Sequence, residues 1–189
     1  MSNKLKKWSK SLNVIGCQIQ NMLIKQDTHH TLLRIIAENK SLHEHNPFYD
    51  HLFHTYISYI SVSLRRQLKR DKNSISLYGV LSDIADNMSD IPLHKHIELD
   101  PESDIARLKE ASSVIEKYVD RRIAHTDKRS LDKRSLDKLP NPSEVENCIE
   151  IMKEIHKRYN SVVNKVDVEL MPVRYDWTHI FEIPWVQVK

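Results

Sequence analysis

Apolar residues recur at alternating three- and four-residue steps through most of the chain, which is the spacing of one face of an α-helix. The first such stripe predicts an amphipathic helix and consists of Leu5, Trp8, Leu12, Ile15, Ile19, Met22 and Leu23. Asp27 and Thr28 follow this stripe and are residue types that cap helices, so we expect a break there. A second, shorter helix then carries Leu32, Leu33, Ile36 and Ala37.

Three pairs of an asparagine or aspartate with a proline predict the starts of three longer helices. The first residue of each pair can accept a bond from a free N–H group, and proline at the first helical position loses no needed donor. Ser74 or Ser76 can cap a further, shorter helix that ends near Met88. The three pairs are Asn46 with Pro47, Asp100 with Pro101, and Asn141 with Pro142.

Each of the three longer helices has a predicted buried side. In the helix after Pro47 it consists of Phe48, Leu52, Phe53, Tyr56, Ile60 and Leu64. The helix after Pro101 is expected to run about six turns to near His125, with Ile105, Leu108, Ser112, Ile115, Val119 and Ile123 inward. Residues 127–131 recur as residues 132–136, a charged repeat that predicts a solvated loop. In the helix after Pro142 the buried side consists of Val145, Cys148, Ile149, Met152, Ile155, Tyr159 and Val162.

The pattern changes after residue 165. Residues 166–189 hold two of the 3 tryptophans and two of the 7 prolines, with only partial alternation of apolar and polar positions. We therefore predict an extended segment, with a short strand pair as one form of it, packed on the helices or on a partner. The whole pattern predicts an all-α fold. It is a helical bundle of about five to six helices in residues 1–165, followed by this extended, aromatic C-terminal tail.

Composition narrows the functional classes. Only 2 glycines in 189 residues argue against hairpin-rich β structure and against the Gly-rich phosphate loop of a nucleotide-hydrolysing domain. The net charge of +3 permits contact with nucleic acid without requiring it. Cys17 and Cys148 lie in apolar helical stripes, which favours a reducing cytoplasm over a disulfide framework. The sequence shows no signal peptide and no apolar run of transmembrane length, so we expect a soluble protein without a membrane partner.

The sharpest candidate site is a cluster of two arginines and a histidine flanked by acids: Asp120, Arg121, Arg122, His125 and Asp127. Histidine transfers protons near neutral pH, and arginine binds phosphate and stabilises charge that develops on it. Helix residues three or four apart share a face, so both arginines can approach His125. This set suits RNA cleavage by the neighbouring 2′-hydroxyl group, a reaction that needs no metal. The alternative is a histidine that satisfies carbonyl groups at a helix end, beside solvated arginines.

The sequence RRIAHTD, residues 121–127, resembles the arginine and alanine-histidine signature at the end of a late helix in HEPN domains. The sequence LRRQLKRDKNSISLYGVLSDI, residues 64–84, resembles the AbiU-type abortive-infection branch of that superfamily. The resemblance implies a helical bundle that dimerises and a metal-independent ribonuclease, without cofactor, that acts as a toxin or in phage defence. It implies that His125 is the general acid and base and that Arg121 or Arg122 stabilises charge on the phosphate. Asp120 or Asp127 would orient the imidazole.

One departure from the family pattern leads to a second hypothesis. The pattern is an arginine, four to six further residues and then the histidine, which before His125 corresponds to Asp120, Val119 and Tyr118. Arg121 lies about 100° around a helix axis from the nearest of these positions. The signature is therefore degenerate, and the alternative is a catalytically inactive HEPN-like module. Such a module would bind nucleic acid or a protein, with RNA, an antitoxin or another protein as candidate partners.

Two other groups of residues invite a functional interpretation. The basic turn at the end of the second long helix is a candidate surface for phosphate contact and consists of Arg65, Arg66, Lys69 and Arg70. The same charges also match the dipole of the helix end, which is the structural alternative. The histidine pairs lack the four-ligand spacing of structural zinc sites, so we predict surface histidines and no metal site. These pairs are His43 with His45, His51 with His54, and His94 with His96.

Overall fold

The structure, a computed structural model, describes residues 3–40, 47–69, 71, 73–91, 99–120, 140–174 and 176–179. Five α-helices lie within these ranges: α1 (Asn3–Glu38), α2 (Pro47–Leu68), α3 (Leu77–Ala85), α4 (Pro101–Tyr118) and α5 (Pro142–Asn164). A short 3-10 helix follows α3 at Met88–Asp90. The described ranges contain no strand. The predicted all-α bundle is confirmed.

The first helix is one continuous element, so the predicted break at Asp27 and Thr28 is wrong. α1 runs for 36 residues. The Thr28 hydroxyl caps no new helix; it donates to the carbonyl of Ile24, 2.8 Å away and one turn earlier. The next residue, His29, is buried and stacks on Tyr56 of α2 with ring centroids 4.0 Å apart. Packing against α2 therefore carries α1 past the residues that would otherwise end it.

The longer helices begin where the asparagine or aspartate with proline predicts, at Pro47, Pro101 and Pro142. At the start of α4 the Asp100 carboxylate accepts the N–H of Ser103 at 3.0 Å. At the start of α5 the Asn141 side chain caps the helix, and Glu144 accepts the N–H of Asn141 at 2.8 Å. These bonds satisfy N–H groups that the first helical turn leaves without a partner.

The short α3 is anchored to the end of α2. Its cap is Ser76, one of the two serines predicted, whose hydroxyl accepts the N–H of Gly79 and donates to the carbonyl of Lys69 at 2.5 Å. Gln67, which is buried at the end of α2, accepts the N–H of Leu77 at 3.0 Å. Side-chain hydrogen bonds thus join the end of α2 to the start of α3.

The core lies where α5 packs against α1 and α4, and α2 and α3 pack against both α4 and α1. The predicted inward face of α5 is buried throughout, from Val145 to Val162. The predicted burial of Phe48 on α2 is wrong, because its side chain is 57% exposed. Phe48 lies nine residues before the buried Ile57, which places the two about half a turn apart around the helix axis.

After α5 the chain leaves the helix through Lys165, which adopts a left-handed backbone conformation with φ of 56°. The Asn160 amide donates to the carbonyl of Val166 at 3.0 Å. Leu170 is buried beside Gly16 of α1. The described part of the tail, up to residue 179, forms no strand pair, and residues 180–189 lie outside the described ranges. The division at residue 165 remains a prediction.

Within the described ranges, none of the helices combines the length and the hydropathy that crossing a membrane requires.

Candidate functional site

The helix that precedes the candidate catalytic cluster ends in a widened turn. α4 ends at Tyr118, and Val119 and Asp120 continue it with π-helical geometry. The N–H of Val119 still bonds to the carbonyls of Ile115 and Glu116, so regular helical bonding continues up to that residue. Single π-turns are rare overall but are frequent at functional sites. The backbone therefore departs from regular α-helix at Asp120, the first residue of the candidate cluster.

An arginine of α2 holds this end of α4. Arg65 Nε lies 3.1 Å from Asp120 Oδ1, and its Nη2 lies 3.0 Å and 3.1 Å from Oδ1 and Oδ2. Tyr118 Oη lies 3.3 Å from the Ser58 hydroxyl of the same helix. The Arg65 side chain is 13% exposed and that of Asp120 is 52% exposed. The guanidinium is thus shielded by the protein, whereas the carboxylate reaches solvent.

Of the predicted catalytic residues, the structure describes Asp120. Arg121, Arg122, His125 and Asp127 lie outside the described residues and remain predictions. The contact of Asp120 with α2 was missed by sequence reasoning, because its partner lies 55 residues away in the chain. Orientation of an imidazole by Asp120 also remains a prediction. Any such role would have to coexist with the ion pair to α2.

The structure separates the members of the basic turn. Arg65 turns toward α4 and is largely covered. Arg66 is the next residue, about 100° further around the helix, and is exposed. Lys69 is exposed as well, and Arg70 lies outside the described residues. Among the described cations of this turn, Arg66 and Lys69 face solvent, and their contact with phosphate remains a prediction.

Arg66 stands at one end of an open groove along α2. The groove has a volume of about 590 Å³ and is also lined by His54, Ser58, Tyr59 and Val62. The Tyr59 side chain is 44% exposed. Sequence reasoning followed the buried side of this helix and missed the groove. The signal for it was the helical spacing of polar and aromatic residues on the opposite side.

A protein-family model of HEPN domains, described as AbiU2, matches residues 28–176. The chain belongs to the AbiU2 family of HEPN domains. It is therefore a HEPN protein of the abortive-infection type, as the resemblance implied. The match extends from the second half of α1 through α5, so it includes both helices that meet at Asp120. No curated protein and no solved structure is significantly similar to the chain.

In this AbiU2 protein a buried carboxylate ties α4 to α5. Asp104 is 2% exposed and accepts hydrogen bonds from Tyr159 Oη at 2.8 Å and from Arg158 Nη2 at 2.6 Å. Burial, together with the bond to Asp104, raises the pKa of the Tyr159 phenol above its usual value. Sequence reasoning missed this network. The available signal was a charged residue one turn before Leu108, on the same face of the helix as the buried Leu108 and Ile115.

Two histidines of the bundle are buried among helices. His156 Nε2 lies 2.8 Å from the carbonyl oxygen of Leu12, where Gly16 leaves room for the ring. Burial lowers the pKa of His156, and the bond to Leu12 opposes that effect. Burial and the neighbouring His30 lower the pKa of His29. Both imidazoles therefore favour the neutral form, and both are occupied in packing α1.

The described residues contain no group of three histidine, cysteine, aspartate or glutamate side chains arranged for a metal ion. His51 and His54 are exposed on α2. The other paired histidines of the sequence lie outside the described residues: His43, His45, His94 and His96.

The two cysteines are free and differ in environment. Cys17 is exposed, so its predicted place in an apolar stripe is wrong. It lies two residues from both Ile15 and Ile19, which turns it about 200° away from the buried side of α1. Cys148 is buried as predicted, and burial, with a smaller effect of Glu116, raises the pKa of its thiol to about 12.

Proposed function

We propose that this AbiU2 protein is a metal-independent endoribonuclease that acts as a toxin in phage defence. His125 is the general acid and base in this proposal, and Arg121 or Arg122 stabilises the charge that develops on the phosphate. The observation that carries the proposal is the ion pair between Arg65 and Asp120, which fixes the helix end directly before these residues. Family membership supports the same assignment.

The proposed reaction uses the 2′-hydroxyl group of RNA as the nucleophile. A base removes its proton, the 2′ oxygen bonds to phosphorus, and the bond from phosphorus to the 5′ oxygen breaks. An acid donates a proton to that leaving oxygen, so the products are a cyclic phosphate and a 5′-hydroxyl end. Imidazole suits both proton transfers near neutral pH, and a guanidinium suits the added negative charge.

The proposal includes a homodimer, because HEPN domains often dimerise and thereby bring two signatures into one cleft. It also places the protein in the cytoplasm, where RNA is available. An antitoxin or another protein partner would fit the proposed toxin role. The aromatic tail is the first candidate surface for such contacts, because it holds exposed apolar side chains such as Val166 and Met171.

The purified full-length protein is expected to cleave RNA in the presence of a chelator. His125→Ala should lower the cleavage rate by about a hundredfold or more, which is the usual contribution of a general acid or base. The circular dichroism and the urea unfolding midpoint should stay unchanged. His51→Ala, at an exposed position of α2, is the matched control and should keep full activity. Full activity of His125→Ala would remove His125 from the mechanism.

A second candidate function is a catalytically inactive module that binds RNA or a protein. It is favoured by Asp120, which occupies a position where the family pattern has arginine and whose carboxylate is already bound by Arg65. This candidate predicts RNA binding without cleavage in the same assay. Deletion of residues 176–189 gives a further test, because loss of a dimer with retention of the fold would make the tail an interface.

A further inference from the structure

One side of α2 carries an aromatic ring and a cation that both reach solvent. Tyr59 is 44% exposed, and Arg66 is exposed two turns later, about 10.5 Å along the helix axis. Among the described residues, no carboxylate lies within ion-pair distance of Arg66. The adjacent Arg65, in contrast, bonds to Asp120 through its Nε and Nη2 atoms. The two neighbouring arginines therefore differ in environment: Arg65 is paired with a carboxylate, whereas Arg66 is exposed.

These two residues are shared by two depressions of the surface. The groove of about 590 Å³ lies on one side of Tyr59 and Arg66. A smaller depression of about 130 Å³ lies on the other side, between α2 and α1, and is lined in addition by Gln18 and Asn21. Tyr59 and Arg66 therefore line both depressions. The Asn21 side-chain amide, which also lines the smaller depression, is available to bond to polar atoms of a ligand.

The groove also lies close to the described end of α4. Ser58 lines it and lies 3.3 Å from Tyr118 Oη at the end of α4. Tyr118 precedes Asp120 by two residues, and the proposed catalytic residues follow Asp120 in the chain. A polymer that lies along this side of α2 therefore passes the helix end that precedes the proposed site.

We propose that this side of α2, from His54 to Arg66, binds single-stranded RNA, with a base stacked on Tyr59 and a phosphate bound by Arg66. The proposal rests on the ribonuclease function proposed above and adds the path of its substrate. Charge complementarity favours RNA, since this side offers an arginine and a stacking ring, and none of the described residues that line the groove is acidic. An unpaired strand fits better than a duplex, because only unpaired bases are free to stack on a side chain.

The test uses the full-length His125→Ala protein, so that RNA is bound without being cut. A short single-stranded RNA that contains the fluorescent base 2-aminopurine reports affinity and, through quenching, stacking. Tyr59→Leu should weaken binding by about 5- to 100-fold and abolish the quenching, whereas Tyr59→Phe should keep both. Phe48→Leu replaces an exposed aromatic residue at the start of α2 and should change nothing.

The cation is tested through the salt dependence of binding. Arg66→Gln should weaken binding and lower the slope of log K against log salt by about 0.7, the loss of one phosphate contact in a single strand. Arg34→Gln removes the same charge from an exposed position of α1 and is the control. Wild-type affinity and slope in Arg66→Gln would overturn its assignment.

Three results would overturn the proposal: no binding of the single strand, unchanged binding and quenching in Tyr59→Leu, or dissociation of a dimer by Tyr59→Leu. The last would make this side of α2 an interface between copies of the chain. Failure of the proposed function is a separate result. Wild-type protein that cleaves no RNA, while Tyr59→Leu still loses binding, would refute the ribonuclease and leave the binding path intact.

Discussion

Arg65→Met keeps the aliphatic part of the side chain and removes the three contacts of 3.0–3.1 Å that the guanidinium makes with Asp120. Asp120→Ala removes the same contacts from the other partner. If the two side chains interact directly, the double variant loses less stability than the sum of the two single variants. The difference is the coupling energy, and it measures how firmly α2 holds the end of α4.

The contact geometry and exposure of the two side chains set the expected coupling energy. Exposed ion pairs contribute roughly 0.2–1 kcal/mol, and a two-pronged arginine–carboxylate contact lies at the upper end, so we expect a coupling of about 1 kcal/mol. Asp120→Ala should be the costlier single change, because it leaves a guanidinium of 13% exposure without its partner. Arg65→Met leaves a carboxylate that water can reach, since Asp120 is 52% exposed.

Urea unfolding of the four proteins at low salt gives the coupling, and repetition at high salt should reduce it through screening. The matched control is the pair of Arg107 and Glu154, which is also two-pronged but has 41% and 59% exposure, so its coupling should not exceed about 0.5 kcal/mol. RNA cleavage should fall in Arg65→Met and not in Arg107→Met. Zero coupling between Arg65 and Asp120 at low salt would refute the reasoning.

Three further outcomes follow from buried or exposed side chains. Asp104→Asn should lower the free energy of unfolding by about 2 kcal/mol, because it removes the buried negative charge that pairs with the half-buried Arg158; a loss below about 1 kcal/mol in urea unfolding would contradict this. The pKa of His156 is lowered in the folded protein, so the unfolded chain takes up protons first and stability should fall as pH drops below about 6.5, by at most about 1.4 kcal/mol per pH unit. His156→Gln should flatten that dependence in unfolding curves recorded across pH, and an unchanged slope would assign it to other groups. A thiol reagent should modify Cys17 in the native protein and Cys148 only after unfolding, and equal labelling rates would disprove the difference in burial.

Local features were predictable because their causes lie within a few residues. A capping side chain and a proline define a helix start by themselves, which is why Pro47, Pro101 and Pro142 each begin a helix as predicted. A strict apolar period likewise predicted residues of α5 that are all buried, from Val145 to Val162, although it did not include the buried His156 and Asn160. For the candidate site, the residue types identified His125, Arg121 and Arg122 as candidate catalytic residues. These residues lie outside the described ranges, so their roles remain predictions.

What the sequence by itself determined is therefore the class of fold, the starts of its longer helices, and the residue types available for chemistry. Only the tertiary structure decided which of these residues meet. The stacking of His29 on Tyr56 extended α1 through a predicted break, and Arg65 found Asp120 across 55 residues. The physical reason is the separation in sequence over which each interaction acts. Caps and apolar periodicity act within one or two helical turns, whereas the pairing of charges and rings depends on how whole helices pack.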